Sequence, residues 1–165
     1  MNNTNKYQKS IDCLNDAIGK EISTSLQYMY FHVRMEDAGY EYLAAYFHKV
    51  AIEEMRHIEE FAERILFLQG DVNMNPAFES RQITEVPDML RLAMKIEQST
   101  IDSYNEAARI TSEIKDTVTH HIFQSITQYE EQHLDNFRTE LQNMTDYGDK
   151  YLALQSIGRS KSIAK

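Results

Sequence analysis

The chain is poor in the residues that break, staple or redirect a backbone. It has one cysteine (Cys13), two prolines, five glycines and no tryptophan in 165 residues. A single cysteine excludes an internal disulfide, a CxxC redox pair and a cysteine-rich zinc site, and suits a reducing compartment. So few prolines and glycines exclude a disordered chain and a strand-and-turn architecture. No apolar run approaches the roughly 20 residues a membrane span needs. The start, MNNTNKYQKS, has no apolar core of a signal peptide. Cations are also short, at 17 Lys and Arg against 26 Asp and Glu, for a net charge of −9. That argues against wrapping nucleic acid and favours a cationic partner or substrate. Nothing resembles a nucleophilic triad, a P-loop or a dinucleotide fingerprint. The expectation is a cytoplasmic, acidic helical protein with no membrane association.

What is abundant is Glu, Leu, Ala, Met and Gln, all good helix formers. The length fits one domain, residues 1–165, with a core large enough to need no staples. Breaks at Gly39, Gly70, Gly148 and Gly158 divide the apolar periodicity. Helices are expected at about 5–38, 41–69, 85–114 and 117–144, with a short one at about 150–157 and a mobile tail at 159–165. Thr84 is the expected N-cap of the third helix, with Pro87 in its first turn, and Asp116 that of the fourth. Gly19 lies inside the first helix against the grain and reads as a tolerated weak point. Short links make two antiparallel hairpins, and residues 70–83 form a long connection that can run the length of the bundle. The expected fold is all-α: a four-helix bundle with one long crossover and a short C-terminal fifth helix.

An internal repeat carries the chemistry. Two Glu-x-x-His motifs occur, Glu54–His57 and Glu130–His133. Glu21 lies 33 residues before Glu54, and Glu97 lies 33 before Glu130. A shift of 76 maps Glu21, Tyr28, Glu54 and His57 onto Glu97, Tyr104, Glu130 and His133, each onto its own type. The hairpins therefore read as pseudo-twofold copies. At about 100° per residue, Glu54 and His57 fall within the apolar stripe of Val50, Phe61, Ile65 and Leu68. Salt bridging on a solvated face is the ordinary role of one Glu-x-x-His, but the repeated, inward-facing set is poorly served by it. Unpaired carboxylates in a core are very unfavourable. Two divalent cations at +4 would balance four carboxylates with two neutral imidazoles. Oxygen and nitrogen ligation with open positions suits iron or manganese better than a closed zinc site.

Over nearly its whole length the chain resembles the bacterioferritin family of the ferritin-like superfamily. The resemblance is carried by KEISTSLQYMYFHVRM around Glu21, EEMRHIEEFAERILFLQG around Glu54 and QYEEQHLDNFRTEL around Glu130. It implies a ferritin-like bundle with a ferroxidase centre of two Fe per subunit. Glu54 and Glu130 would bridge the irons, and Glu21 and Glu97 would be terminal ligands. His57 and His133 would complete the set, with Tyr28 beside the centre. Tyr28 has an alternative reading as a core tyrosine, and Tyr104 reads as core or as packing beside the site. The resemblance also implies haem b at a two-fold subunit interface through Met55. Met55 points away from the core, in an outer apolar stripe with Ala62 and Leu66, alongside Ile22, Leu26 and Met29 on the first helix; such a Met is more often packing than ligand. Where the family can carry His and Asp as an inner-surface iron site, this chain has Lys49 and Glu53. A lysine ammonium does not ligate iron readily at neutral pH.

The implied function is iron storage and detoxification. Fe²⁺ would be oxidised with O₂ or H₂O₂ and mineralised inside a homo-oligomeric cage of 24 subunits built from dimers. A ferredoxin-type reductase partner would serve iron release. The rival is a 12-subunit Dps-like mini-ferritin using peroxide for oxidative-stress protection. A non-enzymatic helical interaction module and a rubrerythrin-type peroxidase are further alternatives, the latter lacking its paired-cysteine module. His32, His48, His120, His121 and Cys13 read as surface or packing residues.

Overall fold

A computed structural model of the chain describes residues 5–155 and 157. Four long helices dominate: α1 (Gln8–Asp37), α2 (Glu41–Phe67), α3 (Val86–Glu113) and α4 (Thr117–Tyr147). A 3-10 turn at Gly148–Lys150 leads into helical residues 151–155. The tail expected at 159–165 lies outside the described residues. α1 packs along α2, and α3 along α4; the hairpins then meet through α1 against α3 and, more loosely, α2 against α4. The result is a four-helix bundle with one long crossover.

Each helix buries one seam. On α4 the buried positions Thr119, Phe123, Ile126, Glu130, His133, Phe137 and Glu140 alternate in steps of four and three. On α2 they run Leu43, Phe47, Val50, Glu54, His57, Phe61 and Ile65. These spacings keep one stripe facing neighbouring helices, as in bundles of nearly parallel axes. In both helices a Glu and a His occupy successive positions of the seam. The apolar core is accordingly in two parts. One, around Phe31, Phe47, Leu90 and Phe137, fills the end near the α1–α2 turn. The other, around Leu14, Ile65, Phe61 and Phe123, fills the opposite end.

Three helix ends share one hydrogen-bonded closure. Tyr40 N–H reaches Met35 O, Gly70 N–H reaches Ile65 O and Asp116 N–H reaches Thr111 O, at 2.9, 3.0 and 2.9 Å. This motif needs a left-handed residue just past the helix. That residue is Gly39 (φ 81°), Gln69 (φ 59°) and Lys115 (φ 60°). So α2 turns at Gln69, not at Gly70. Gly70 is placed where a Cβ would lie 2.8 Å from the Ile11 side chain. The third helix starts at Val86 with Glu85 at its N-cap and no side-chain cap, rather than at Thr84. Thr84 turns its hydroxyl to the Glu85 carboxylate, 3.5 Å away.

The crossover runs alongside α1, fixed at every fourth residue. Asn15 Nδ2 donates to Asp71 O and its Oδ1 accepts from Asn73 N–H. Gly19 O accepts from Ala77 N–H at 2.9 Å. Ser23 Oγ exchanges hydrogen bonds with both backbone groups of Phe78. The Gln27 amide does the same with Arg81. Gly19 is thus a docking position and not a weak point: a Cβ there would lie 3.0 Å from Asn75 O and 3.5 Å from Ala77 Cβ. Its lost helix propensity, about 1 kcal/mol, is offset by close approach of the crossover backbone.

Asp116 fastens the far end of the bundle. Its carboxylate accepts from Thr119 N–H and Oγ1, from Ser10 Oγ at 2.7 Å and from Arg64 Nη2 at 2.6 Å. One buried residue thus caps α4 and joins it to α1 and α2. Burial alone would push its carboxyl up; hydrogen bonds from Thr119, Ser10 and Arg64 outweigh burial and hold it below the ordinary value. Asp116→Ala should cost about 2 kcal/mol in chemical denaturation at neutral pH. A carboxyl depressed in the folded state stabilises above its unfolded value and stops doing so as pH falls through its folded one. The difference between parent and Asp116→Ala should therefore shrink below about pH 4.

Candidate metal centre

The gap between the two apolar cores is filled by six ionisable side chains. Glu21 and Glu97 come from α1 and α3, Glu54 and His57 from α2, and Glu130 and His133 from α4. All six are buried, none more than 6% exposed. They form two overlapping groups, Glu21–Glu54–His57–Glu130 and Glu54–Glu97–Glu130–His133, with candidate ligand atoms within 4.8 Å of one another in each. Glu54 and Glu130 belong to both. His57 Nδ1 lies 2.9 Å from Glu54 Oε2, 3.3 Å from Glu130 Oε1 and 3.7 Å from Glu21 Oε1. His133 Nδ1 lies 3.3 Å from Glu54 Oε1 and 3.5 Å from Glu130 Oε2. Both imidazoles thus turn Nδ1 toward the shared pair of carboxylates.

Protein groups alone do not satisfy this layer. Among the described residues, Glu54 Oε1, Glu97 Oε2, Glu130 Oε1 and His133 Nδ1 are buried with no hydrogen-bond partner. Burial first, then neighbouring carboxylates, pushes the Glu54 and Glu97 carboxyls above their ordinary range. Burial pulls the His57 imidazole down, but contacts with Glu130, Glu21 and Glu54 prevail and push it up to about 12. His133 is raised in the same way. Without a metal, the cluster holds protons where cations would otherwise balance charge. Four orphaned polar atoms from carboxylates and imidazole, in two groups that share Glu54 and Glu130, fit two divalent cations.

Two tyrosines close the cluster above and below. Tyr28 OH donates to the Glu97 carboxylate, and Tyr104 OH donates to that of Glu21. Each hydroxyl reaches the lone glutamate of the other hairpin. The surroundings repeat as well: Tyr28 lies 5.2 and 5.6 Å from Phe47 and Phe137, and Tyr104 lies 5.4 and 5.7 Å from Phe123 and Phe61. The 76-residue shift relates all of these positions. Burial, with the neighbouring carboxylate, raises both phenols well above their ordinary value, so they remain donors. Tyr104 therefore matches Tyr28 in what it touches.

Residues 11–146 match the model of the ferritin-like domain. A Desulfovibrio desulfuricans bacterioferritin is 34% identical over 154 residues, 92% of this chain and 85% of that relative. Those of Rhodobacter capsulatus and Brucella melitensis are 32% and 30% identical, over 88% and 86% of this chain and 91% and 88% of theirs. An X-ray structure of the Desulfovibrio desulfuricans bacterioferritin, with its diiron site in different catalytic states, superposes with a TM-score of 0.87. It is 33% identical and covers 90% of this chain and 86% of its own. The chain belongs to the bacterioferritin family.

Of the other residues singled out by the bacterioferritin resemblance, Met55 and Lys49 lie apart from the cluster and Glu53 touches it. Met55 is 53% exposed on α2, Leu66 is exposed about three turns further along the same helix, and Leu26 is exposed on α1. Lys49 pairs with Glu53 at 3.5 Å, within α2. Glu53 also reaches His133 Nε2, at 3.1 Å. That contact spans two helices and 80 residues, and the 76-residue repeat hides it because position 129 is a tyrosine. His32 lies against His48, and His120 bonds Ala108 O; neither pair is in the cluster. Cys13 is half-buried and free.

The buried like charges make the metal-free layer a source of instability. Glu97→Gln should leave the metal-free protein as stable or more so, by about 1–2 kcal/mol. Zn²⁺ should raise Tm in the parent and raise it far less in that variant. Differential scanning calorimetry of both proteins, chelated and reloaded, checks this.

Proposed function

We propose that the chain is an iron-storage ferroxidase acting from the cytoplasm, with Fe²⁺ as its substrate. The observation that carries this reading is the pair of shared carboxylates, Glu54 and Glu130, whose unpartnered oxygens lie between two groups of candidate ligands. Glu21 and His57 would complete one iron position, and Glu97 and His133 the other. The bound irons supply two electrons, one each, to O₂ or H₂O₂. The protein's part is to hold both irons at one distance, balance their charge and exclude bulk water. Tyr28 and Tyr104 hold the terminal carboxylates by their hydroxyls. The apolar cores on either side keep the layer dry and fix the ligand rotamers, so little reorganisation accompanies the charge change.

Ferric product would be laid down inside a hollow shell. The reading of 24 subunits follows the family resemblance, with exposed Leu26, Met55 and Leu66 supporting a dimer face. Such a shell weighs about 460 kDa, and a 12-subunit one half that. Its net negative charge would draw Fe²⁺ inward. The Dps-like reading is not favoured, because both ligand groups come from one chain. Met55, whose exposure in an apolar stripe fits that role, would hold haem b at the dimer two-fold, and the haem would supply an electron route. A ferredoxin-type reductase is the corresponding partner for iron release.

Aerobic addition of two Fe²⁺ per chain should produce ferric absorbance well above buffer. Glu54→Ala with His133→Ala should abolish that excess. Unchanged oxidation in the double variant would refute the site. The visible spectrum of the purified protein, with and without dithionite, should show a haem band that Met55→Leu removes.

A further inference from the structure

The pseudo-twofold symmetry fails at one pair of positions that touch the centre. A shift of 76 relates Glu53 to position 129, which is Tyr129. Glu53 Oε2 lies 3.1 Å from His133 Nε2. The corresponding imidazole, His57, has the Tyr129 ring beside it, with centroids 5.7 Å apart. Among the described residues no hydrogen bond reaches His57 Nε2. Glu53 is half-buried and Tyr129 is 47% exposed, so both stand where α2 and α4 pack loosely at the edge of the layer.

We infer that Glu53 makes the two metal positions unequal, so that the Glu97–His133 position binds a divalent cation first and more tightly than the Glu21–His57 position. The inference rests on the di-iron reading of the six residues. A metal-ligating imidazole generally donates its other N–H to a carboxylate, a carbonyl or water, and a protein acceptor there fixes ring orientation and tautomer and raises ligand basicity. His133 has that partner. With its Nε2 side held by Glu53, the ring keeps its buried, unpartnered Nδ1 facing Glu54 and Glu130. His57 lacks such a partner. Its Nδ1, the atom that must ligate, lies 2.9 Å from Glu54 Oε2. Binding at His57 leaves the ring to be oriented by the metal alone. Lys49, 3.5 Å from Glu53 and exposed, steadies Glu53 without displacing its bond to His133. Glu53 is thus a positioning residue acting through His133. The lysine and glutamate at 49 and 53, which depart from the His and Asp the family can carry there, are accounted for without a third metal.

The test is anaerobic titration of the chelated, assembled protein with Co²⁺, followed by visible absorption and calorimetry. Two steps of one Co²⁺ per chain are expected, differing in affinity by about 10–100-fold. Glu53→Ala should weaken the tight step by about that factor and leave the second. Glu53→Gln keeps an oxygen to accept from Nε2–H and should restore most of the loss, which a mere charge effect would not do. Tyr129→Glu should tighten the weak step. His133→Ala should remove the tight step, and His57→Ala should leave it. An unchanged tight step in Glu53→Ala, Glu53→Gln behaving like Glu53→Ala, or loss of the tight step in His57→Ala would each overturn the inference. Fewer than two Co²⁺ per parent chain would instead overturn the metal-centre reading beneath it.

Discussion

Four carboxylates and two imidazoles packed within a few ångströms, away from water, set the terms for every other feature of this bundle. Their mutual repulsion and lost hydration oppose folding. The seam on α2 would be a continuous apolar stripe but for Glu54 and His57, and Glu130 and His133 interrupt the middle of the α4 seam in the same way. Stability has to come from elsewhere: from aromatic and aliphatic packing on either side of the layer, and from fastenings at the surface. The crossover, anchored on α1 at Asn15, Gly19, Ser23 and Gln27, is one such fastening. The Asp116 network, which ties α4 to α1 and α2, is another. Both hold helices in place around a layer that, without cations, would push them apart.

The near-twofold repeat explains how four helices deliver matching ligands at one height. A hairpin that contributes Glu on its first helix and Glu-x-x-His on its second needs only a copy of itself, turned over, to complete a two-position site. The repeat extends past the ligands to Tyr28 and Tyr104 and to the phenylalanines around each. Its failure at Glu53 and Tyr129 falls where the loosely packed α2–α4 face meets the centre. Symmetry builds the site, and that one departure distinguishes its halves.

Much of this was legible because helix periodicity and residue type carry it. The 76-residue shift places Glu21, Glu54, Glu97 and Glu130 at corresponding heights, and the 100° wheel turns Glu54 and His57 inward. Residue type says less about what side chains meet across helices. Gly19 looks like a propensity defect until the crossover backbone is seen against it. Gln69 and Lys115 take left-handed turns that composition alone would assign to glycine. The Glu53–His133 bond joins positions 80 apart and is invisible to a repeat whose other copy has tyrosine. Tyr104, which reads in the sequence as core or as packing beside the site, touches Glu21 as Tyr28 touches Glu97, in keeping with the same shift.

On this reading divalent cations, not protein groups, satisfy the buried layer. The most direct measurement is anomalous scattering from crystals saturated with Co²⁺. Two peaks per chain are predicted at the middle of the bundle, both touching Glu54 and Glu130, one flanked by Glu21 and His57 and the other by Glu97 and His133. No peak between Glu54 and Glu130, or cations bound only at surface carboxylates, would contradict it.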